Sequence, residues 1–226
     1  MQIHGFQKTT LLDYPEHIAA TVFTGGCNFC CPFCHNASLV LHPDTVPTIP
    51  EEEVLAHLQK RKGVLQGVCI TGGEPTVQKG LEDFMRKIKA LGLAVKLDTN
   101  GYRPDVLKKV LEEGLADYVA MDIKASLRGY AGAAGRPLLD TEKIKESIGL
   151  LKSCRIPYEF RTTVVRGLHT EEEFDEIGRL LAGCRVYYLQ SYRESEDVLA
   201  PGYGAFSRRE LERMAARAKK YIDKVE

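Results

Sequence analysis

The chain has 226 residues, of which 44% are hydrophobic and 27% are charged. That composition is typical of a folded globular protein and excludes a low-complexity or disordered chain. Basic and acidic residues both number 31, so the chain lacks the positive field that would attract nucleic acid or an anionic membrane. No apolar run approaches the roughly 18 residues of a membrane-spanning helix. We therefore expect no nucleic-acid partner and no membrane partner.

Short apolar or β-branched runs alternate along the chain with segments of helical period, a pattern typical of βα units around a parallel sheet. The predicted strands are Ala19–Thr24, Gly67–Thr71, Ala94–Thr99, Tyr118–Ile123, Tyr158–Val165 and Arg185–Gln190. The predicted helices are Glu51–Arg61, Gln78–Leu91, Pro104–Glu113, Thr141–Ser153, Thr170–Leu181 and Ser207–Asp223. On the last helix, Arg213, Arg217 and Lys220 lie largely opposite the apolar side, and we expect this basic face to be solvated.

Three stretches fit no regular element and are predicted to be loops. They are Ala37–Pro50, Ala125–Asp140 and Tyr192–Phe206. No linker divides the chain, so we expect one domain over residues 1–226, with a lead-in at 1–18 and a C-terminal loop and helix at 192–226. Six βα units are too few for a closed eight-stranded barrel. The predicted fold is therefore α/β, a partial and laterally open (β/α)6 barrel.

Four of the seven cysteines fall within eight residues, at positions 27, 30, 31 and 34. The N-terminus lacks the basic-then-apolar build of a secretion signal, so we expect a cytoplasmic protein. In that reducing compartment, clustered thiols indicate metal or redox chemistry more often than disulfides. The three scattered cysteines are expected to be core thiols without auxiliary clusters: Cys69, Cys154 and Cys184.

The cysteine cluster follows the first predicted strand and allows two interpretations. Two contiguous pairs, Cys27 with Cys30 and Cys31 with Cys34, suit tetrahedral zinc poorly because structural zinc sites separate their pairs by a dozen or more residues. In the other interpretation, the pattern Cys27-x3-Cys31-x2-Cys34 supplies three thiolates to a [4Fe–4S] cluster. The fourth iron then lacks a protein ligand and can bind another molecule. Cys30 is expected to be an oxidation-prone bystander.

The spacing Cys-x3-Cys-x2-Cys resembles the signature of the radical S-adenosylmethionine (SAM) superfamily. Thr-Gly-Gly-Glu-Pro at 71–75 resembles its GGE motif. Polar groups also follow later strands, with Asp-Thr-Asn-Gly at 98–101, Asp-Ile-Lys at 122–124 and Glu-Phe-Arg-Thr-Thr at 159–163. All these clusters lie towards the carboxyl ends of predicted parallel strands, where barrel enzymes build their sites. We therefore expect one site at that end of the sheet.

Within the superfamily, the segment Thr-Leu-Leu-Asp-Tyr-Pro at 10–15, the Cys-His-Asn ending and the Asp-x-Lys strand resemble the glycyl-radical enzyme activases. The likeness is greatest to activating proteins of anaerobic ribonucleotide reductase and pyruvate formate-lyase, and it runs from about residue 3 to about residue 195. It implies an enzyme that reductively cleaves SAM and takes a hydrogen from a glycine Cα of a partner enzyme, most simply anaerobic ribonucleotide reductase. A flavodoxin or ferredoxin would donate the electron.

The resemblance also implies roles for individual residues. Cys27, Cys31 and Cys34 would bind the cluster and form the catalytic centre. The SAM-binding residues would be Phe33, His35, Gly72, Gly73, Glu74, Asp98, Thr99, Asn100, Asp122, Lys124 and Arg161. A monovalent cation near the SAM carboxylate is a further candidate cofactor, because Asp98, Thr99 and Asp122 offer hard oxygen ligands. Helix or turn capping would also explain Asp98 and Thr99, and a salt bridge would explain Lys124.

Two other functions stay open at this stage. One is a radical SAM enzyme that acts on another peptide or on a small metabolite. The other is a non-enzymatic iron–sulfur or zinc protein, which would lose stability but no activity when Cys31 is removed.

Overall fold

The computed structural model describes residues 1–195 and 197–226. Its strands are Ile3–Thr10 (β1), Ala19–Thr24 (β2), Gly67–Gly72 (β3), Ala94–Thr99 (β4), Tyr118–Asp122 (β5), Tyr158–Val164 (β6) and Tyr187–Ser191 (β7). Its helices are Ala37–Leu41 (α1), Glu51–Arg61 (α2), Leu81–Ala90 (α3), Pro104–Glu112 (α4), Tyr130–Ala133 (α5), Thr141–Ser153 (α6), Glu173–Leu181 (α7) and Arg208–Ala218 (α8). The predicted loop Tyr192–Phe206 includes residue 196, which lies outside the described residues.

All seven strands form one sheet in the order β1-β2-β3-β4-β5-β6-β7. Strands β2 to β7 run parallel to one another, whereas β1 is antiparallel to β2. Each parallel strand is therefore the next neighbour of the one before it, as βα units require. Because β1 and β7 lie at opposite ends of this order, the sheet is open. The structure confirms the predicted α/β class and its open form.

Three elements lie in stretches that the sequence predicted to be irregular. Strand β1 occupies part of the 1–18 lead-in, α1 lies in the predicted loop Ala37–Pro50, and α5 lies in the predicted loop Ala125–Asp140. The two helices have only five and four residues, and helices this short are stabilised by packing more than by their own propensity. Tyr130 at the start of α5, for example, is fully buried.

Three predicted helices are longer than the observed ones by three or more residues. These are Gln78–Leu91, Thr170–Leu181 and Ser207–Asp223, which the structure confines to α3, α7 and α8. Ser207 caps α8 instead of belonging to it. Among the described residues, no helix combines the length and the apolar character that crossing a bilayer demands.

Alternate side chains of the central strands face different surroundings. Leu97, Val119 and Phe160 are completely buried and belong to the apolar core that the sheet shares with the helices. Residues of a strand point to opposite faces in turn. The intervening side chains therefore lie on the opposite face, where Lys96 contacts Asp98 of the same strand. This second face of the sheet carries polar and charged side chains.

The basic side of α8 is largely exposed, as the sequence predicted, with Arg213 and Lys220 each 56% exposed, but it also forms ion pairs. Arg213 donates to Glu171 at 2.6 Å, Arg217 to Asp175 at 2.6 Å and Lys220 to Asp175 at 2.9 Å. Since these acidic residues lie in or just before α7, the basic face joins α8 to α7. The sequence did not predict these ion pairs, because the acidic partners are about 40 residues away in sequence.

Candidate active site

The loop that leaves β2 carries the cysteine cluster. Cys31 is buried, Cys27 and Cys34 are half-buried, and all three line one cavity. The side chain of Cys30 is exposed, and Cys30 is not among the described residues that line this cavity. Its backbone N–H instead donates to the carbonyl oxygen of Ala134 at 3.0 Å. The loop therefore separates the three thiols of the Cys-x3-Cys-x2-Cys pattern from the fourth.

The cavity brings together nearly all the predicted site residues. The predicted residues that line it are Cys27, Cys31, Phe33, Cys34, His35, Gly72, Gly73, Glu74, Asp98, Thr99, Asn100, Asp122 and Lys124. The sequence did not predict five further lining residues, which are Phe29, Asn36, Val40, Thr71 and Thr163. Three of them lie in motifs that the sequence analysis quoted, because Asn36 ends the Cys-His-Asn motif, Thr71 begins the motif at 71–75 and Thr163 ends the one at 159–163. Arg161 is the predicted residue that does not line the cavity.

Gly72 and Gly73 place the turn after β3 directly against the cysteine loop. Gly72 has a φ of +113°, which side chains rarely adopt, and a Cβ on Gly73 would overlap the carbonyl oxygen of Gly26. The Gly73 N–H donates to the Thr24 oxygen at 2.8 Å, and the Glu74 N–H donates to the Gly26 oxygen at 2.8 Å. Close backbone approach therefore requires both glycines, and both remain on the cavity wall.

Glu74 is 1% exposed, and its carboxylate is occupied by neighbouring donors. It accepts hydrogen bonds from the Thr99 hydroxyl at 2.7 Å and from the Asn100 N–H at 2.7 Å, besides the Thr76 N–H at 3.1 Å. Burial raises the pKa of Glu74, and these hydrogen bonds oppose that rise. The carboxylate thus connects the turn after β3 to the turn after β4.

A charged network on the second face of the sheet lies beside the cavity. The Arg161 guanidinium donates to Asp122 at 3.0 Å and to Asp98 at 3.2 Å, while the Lys124 ammonium lies 3.1 Å from Asp122. Burial alone would raise the pKa of Asp122, but Lys124 and Arg161 lower it to about 2. Asp122 is therefore a carboxylate at neutral pH. Arg161 contacts the two carboxylates but does not itself line the cavity.

Two aromatic rings flank the last cysteine. Phe33 is buried, with its ring 6.0 Å from the Lys124 ammonium. His35 is exposed, stacks on Tyr192 with ring centroids 5.5 Å apart, and has its Nε2 atom 2.5 Å from the Arg193 carbonyl oxygen. The histidine ring is therefore held in place at the edge of the cavity, where a planar group could lie against it.

The three thiols are desolvated. Burial raises the pKa of Cys27 to about 12 and that of Cys31 to about 11, and it also raises the pKa of Cys34. Thiols in such surroundings need a bound cation to become thiolates, which iron would supply. Over residues 1–195 and 197–226, no three His, Cys, Asp or Glu side chains are placed to hold a single metal ion. Thiolates on a cluster bind different irons and are spaced more widely.

The lining residues fit an iron–sulfur cluster and an amino-acid group beside it. Three thiols supply the soft ligands that iron–sulfur clusters take. The backbone at Gly72 and Gly73, together with the carboxylate and hydroxyl oxygens of Asp98, Thr99 and Asp122, supplies hard acceptors on the same wall. One cavity thus offers both kinds of ligand side by side.

Residues 21–181 match the family model described as the radical SAM superfamily. This chain belongs to the radical SAM superfamily. Its cofactors are accordingly a [4Fe–4S] cluster and SAM, as the sequence predicted, and the chain is a radical SAM enzyme.

Relatives of this radical SAM enzyme include a protein of Methanocaldococcus jannaschii whose name describes it as a glycyl-radical enzyme activating enzyme. The two are 32% identical, and the match covers 99% of this chain and 94% of the relative. A pyruvate formate-lyase-activating enzyme of Clostridium pasteurianum is 31% identical over 66% of this chain and 65% of its own length. A protein of Pyrococcus horikoshii named as a GTP 3′,8-cyclase is 29% identical over 77% of this chain and 56% of its own.

Solved structures show the same fold. The crystal structure of Streptococcus suis SuiB bound to precursor peptide SuiA matches with a TM-score of 0.70 at 13% identity. The match covers 95% of this chain and 49% of SuiB. At that identity the likeness extends to the fold alone. It agrees with the open, mostly parallel sheet of this radical SAM enzyme.

Proposed function

We propose that this radical SAM enzyme installs a glycyl radical on a partner enzyme. The observation that carries the proposal is a second cavity of about 470 Å³, which shares Asp98 with the first. Leu12, which is 91% exposed, lines it, as do Leu189 and Gln190 of the end strand β7. Residues that follow β1 and residues of β7, the two terminal strands, thus border the same space, which would receive a polypeptide loop of the partner. The activating-enzyme relatives support the same function.

Most residues named from the sequence keep their proposed roles. Cys27, Cys31 and Cys34 would hold the cluster, and the backbone at Gly72 and Gly73 would accept from the SAM amino group. The cofactors supply one-electron cleavage of SAM, which yields methionine and a radical able to take the glycine Cα hydrogen. Glycine suits such a reaction because no side chain shields its Cα–H bonds.

The remaining predicted residues would position SAM. Phe33 and His35 would lie along the adenine. Asp98, Thr99 and Asp122 would face the amino-acid end, with a monovalent cation as a further ligand of their oxygens. Lys124 would neutralise Asp122 and offer a donor to a carboxylate. Glu74, Asn100 and Arg161 would hold these groups in place, because their polar atoms already bond to the chain itself.

The finer part of the proposal concerns the partners. Anaerobic ribonucleotide reductase is the proposed substrate, supported by the resemblance of residues 10–15 and of the Cys-His-Asn and Asp-x-Lys motifs to its activating protein. A flavodoxin or ferredoxin is the proposed electron donor. Carriers of this kind work in the cytoplasm, which is therefore the proposed compartment.

The experiment is anaerobic reconstitution with iron and sulfide, followed by SAM, dithionite and a purified candidate reductase. We expect a glycine-centred doublet in the electron paramagnetic resonance spectrum and one deoxyadenosine per radical formed. Cys31→Ala, reconstituted alongside, should give neither signal. The proposal would be contradicted if deoxyadenosine formed but no glycyl-radical enzyme tested acquired a protein radical.

A second candidate is a small-molecule radical reaction, which the cyclase relative favours. GTP would then replace the partner protein in the same assay. Deoxyadenosine formed only when GTP is present would support this candidate over the first.

A further inference from the structure

Asn100 connects the turn after β4 to the cysteine loop. It is 5% exposed, and its side-chain Nδ2 donates to the Asn28 Oδ1 at 2.7 Å and to the Cys27 sulfur at 3.8 Å. The backbone N–H of Phe29 donates to the same sulfur at 3.3 Å. Outside residue 196, no other side chain donates a hydrogen bond to a thiol of the Cys-x3-Cys-x2-Cys pattern.

The orientation of the Asn100 amide is fixed by its own neighbours. Its Oδ1 accepts the Tyr102 N–H at 3.0 Å. Rotating the amide by 180° would place an NH2 group against that N–H and the oxygen against Asn28 Oδ1, so both hydrogen bonds would become repulsive contacts. The NH2 group must therefore face Cys27 and Asn28.

Glu74 fixes the backbone from which this amide projects. Its carboxylate accepts the Asn100 N–H at 2.7 Å and the Thr99 hydroxyl at 2.7 Å, and its own N–H donates to Gly26 next to Cys27. The chain of contacts thus runs from the cysteine loop through Glu74 to Asn100 and back to the cysteine sulfur. Such a closed set of hydrogen bonds leaves the amide little freedom to move away.

We propose that Asn100 is a positioning residue that raises the reduction potential of the cluster through its hydrogen bond to Cys27. The inference rests on the proposed role of Cys27 as a cluster ligand. Hydrogen bonds to the ligating sulfurs are one of the factors that set the potential of an iron–sulfur cluster. Reduction adds negative charge, and an N–H dipole directed at the sulfur stabilises the reduced state more than the oxidised one.

The test compares Asn100→Ala with Asn36→Ala, both reconstituted with iron and sulfide. Asn36 lines the same cavity, but its side chain donates to the Gly72 carbonyl oxygen at 3.1 Å and not to a sulfur. The midpoint potential of each cluster is measured by redox titration, followed by electron paramagnetic resonance of the reduced form. For Asn100→Ala we expect the ratio of reduced to oxidised cluster at a fixed potential to fall about tenfold, the scale of one hydrogen bond to a charged group.

Asn36→Ala should titrate close to the wild type. A midpoint for Asn100→Ala that matches the wild type, or that moves no further than Asn36→Ala, overturns the inference. A wild-type chain that assembles no [4Fe–4S] cluster overturns the proposed function instead, so the two failures differ.

If Asn100→Ala does not hold a cluster, the same titration is carried out on Asn100→Asp. It keeps the oxygen that accepts the Tyr102 N–H and removes only the two N–H donors, although it adds a charge. Asn36→Asp adds the same charge in the same cavity. We expect the potential of Asn100→Asp to fall further than that of Asn36→Asp, and equal shifts would contradict the role of the hydrogen bond.

Discussion

Cys30 and the three cysteines around it differ in where the loop places their thiols. Cys27, Cys31 and Cys34 line the cavity, whereas the side chain of Cys30 is exposed. We expect alanine at any of the three lining positions to reduce bound iron and sulfide to a small fraction of wild type. Cys30→Ala should retain both. Iron and sulfide analysis after anaerobic reconstitution, with the visible absorption spectrum, makes the comparison.

Loss of the cluster in Cys30→Ala would show that a fourth thiolate is bound. The free iron on which SAM binding depends would then be absent.

Gly73 lies where the packing beside the cavity leaves no room for a side chain. A Cβ there would overlap the Gly26 carbonyl oxygen, which also accepts the Glu74 N–H. Gly73→Ala should lower the free energy of unfolding by about 1–3 kcal/mol, the usual cost of overpacking. Gly63→Ala is the control, because a Cβ at Gly63 meets open space. Urea unfolding of both cluster-free variants measures the difference, and equal stabilities would refute the steric account.

Helix α8 begins with a capping box. The Ser207 side chain accepts the Glu210 N–H, and the Glu210 carboxylate accepts the Ser207 N–H at 2.7 Å. Ser207→Ala should cost about 1 kcal/mol of stability, as loss of an N-cap usually does. Ser153→Ala removes an exposed hydroxyl at the end of α6 and serves as the matched control. Thermal unfolding should show a lower midpoint for the first variant alone.

The same cap predicts a dependence on pH. Hydrogen bonds from Ser207, and then from Arg166, lower the pKa of Glu210 to about 2. A lowered carboxyl pKa adds stability that is complete above the ordinary value of about 4.3 and disappears as the pH falls towards 2. The difference in stability between the wild type and Glu210→Gln should therefore be constant at neutral pH and shrink between about pH 4.3 and 2. Urea unfolding at a series of pH values checks this, and a constant difference would contradict it.

The bounds of a helix or strand could be predicted where its apolar spacing alone indicates the structure that the folded chain adopts. Strand Ala94–Thr99 and helix Thr141–Ser153 have the bounds that the sequence predicted, because the apolar spacing and the Asp140 cap act locally. Strand β1 escaped prediction because residues 7–9 are exposed, residues 4–6 are only partly buried, and its stability comes from pairing with β2. Such pairing leaves no periodic signal in the strand itself.

The site was predictable as a set of residues but not as a set of contacts. Motifs at the ends of parallel strands must converge, so the sequence could bring the lining residues together. It could not show that Glu74 and Arg161 bond to the chain itself, because their partners lie on other strands. Asn100 was predicted to bind SAM, but its contact with Cys27 depends on two loops that are 73 residues apart.

At the scale of the whole molecule, Arg161 links three strands. It contacts Asp98 of β4, Asp122 of β5 and Glu159 of β6. Arg161→Met would leave Asp98 and Asp122 with one lysine each and Glu159 with no cation partner among the described residues, and it should destabilise the chain by about 3–5 kcal/mol. Arg103→Met removes an exposed pair with Asp105 and should change stability by about 0–1 kcal/mol. Urea unfolding of the cluster-free variants tests this contrast, and similar losses would refute the structural role of Arg161.

The unpaired ends of the sheet have a mechanical consequence. In a closed barrel, widening the interior breaks a ladder of backbone hydrogen bonds. Here β1 and β7 are the terminal strands of the order, so their rims can move apart while every ladder from β1 to β7 stays intact. We therefore expect a bulky partner to enter and leave sideways without breaking the backbone hydrogen bonds of the sheet that holds the thiols.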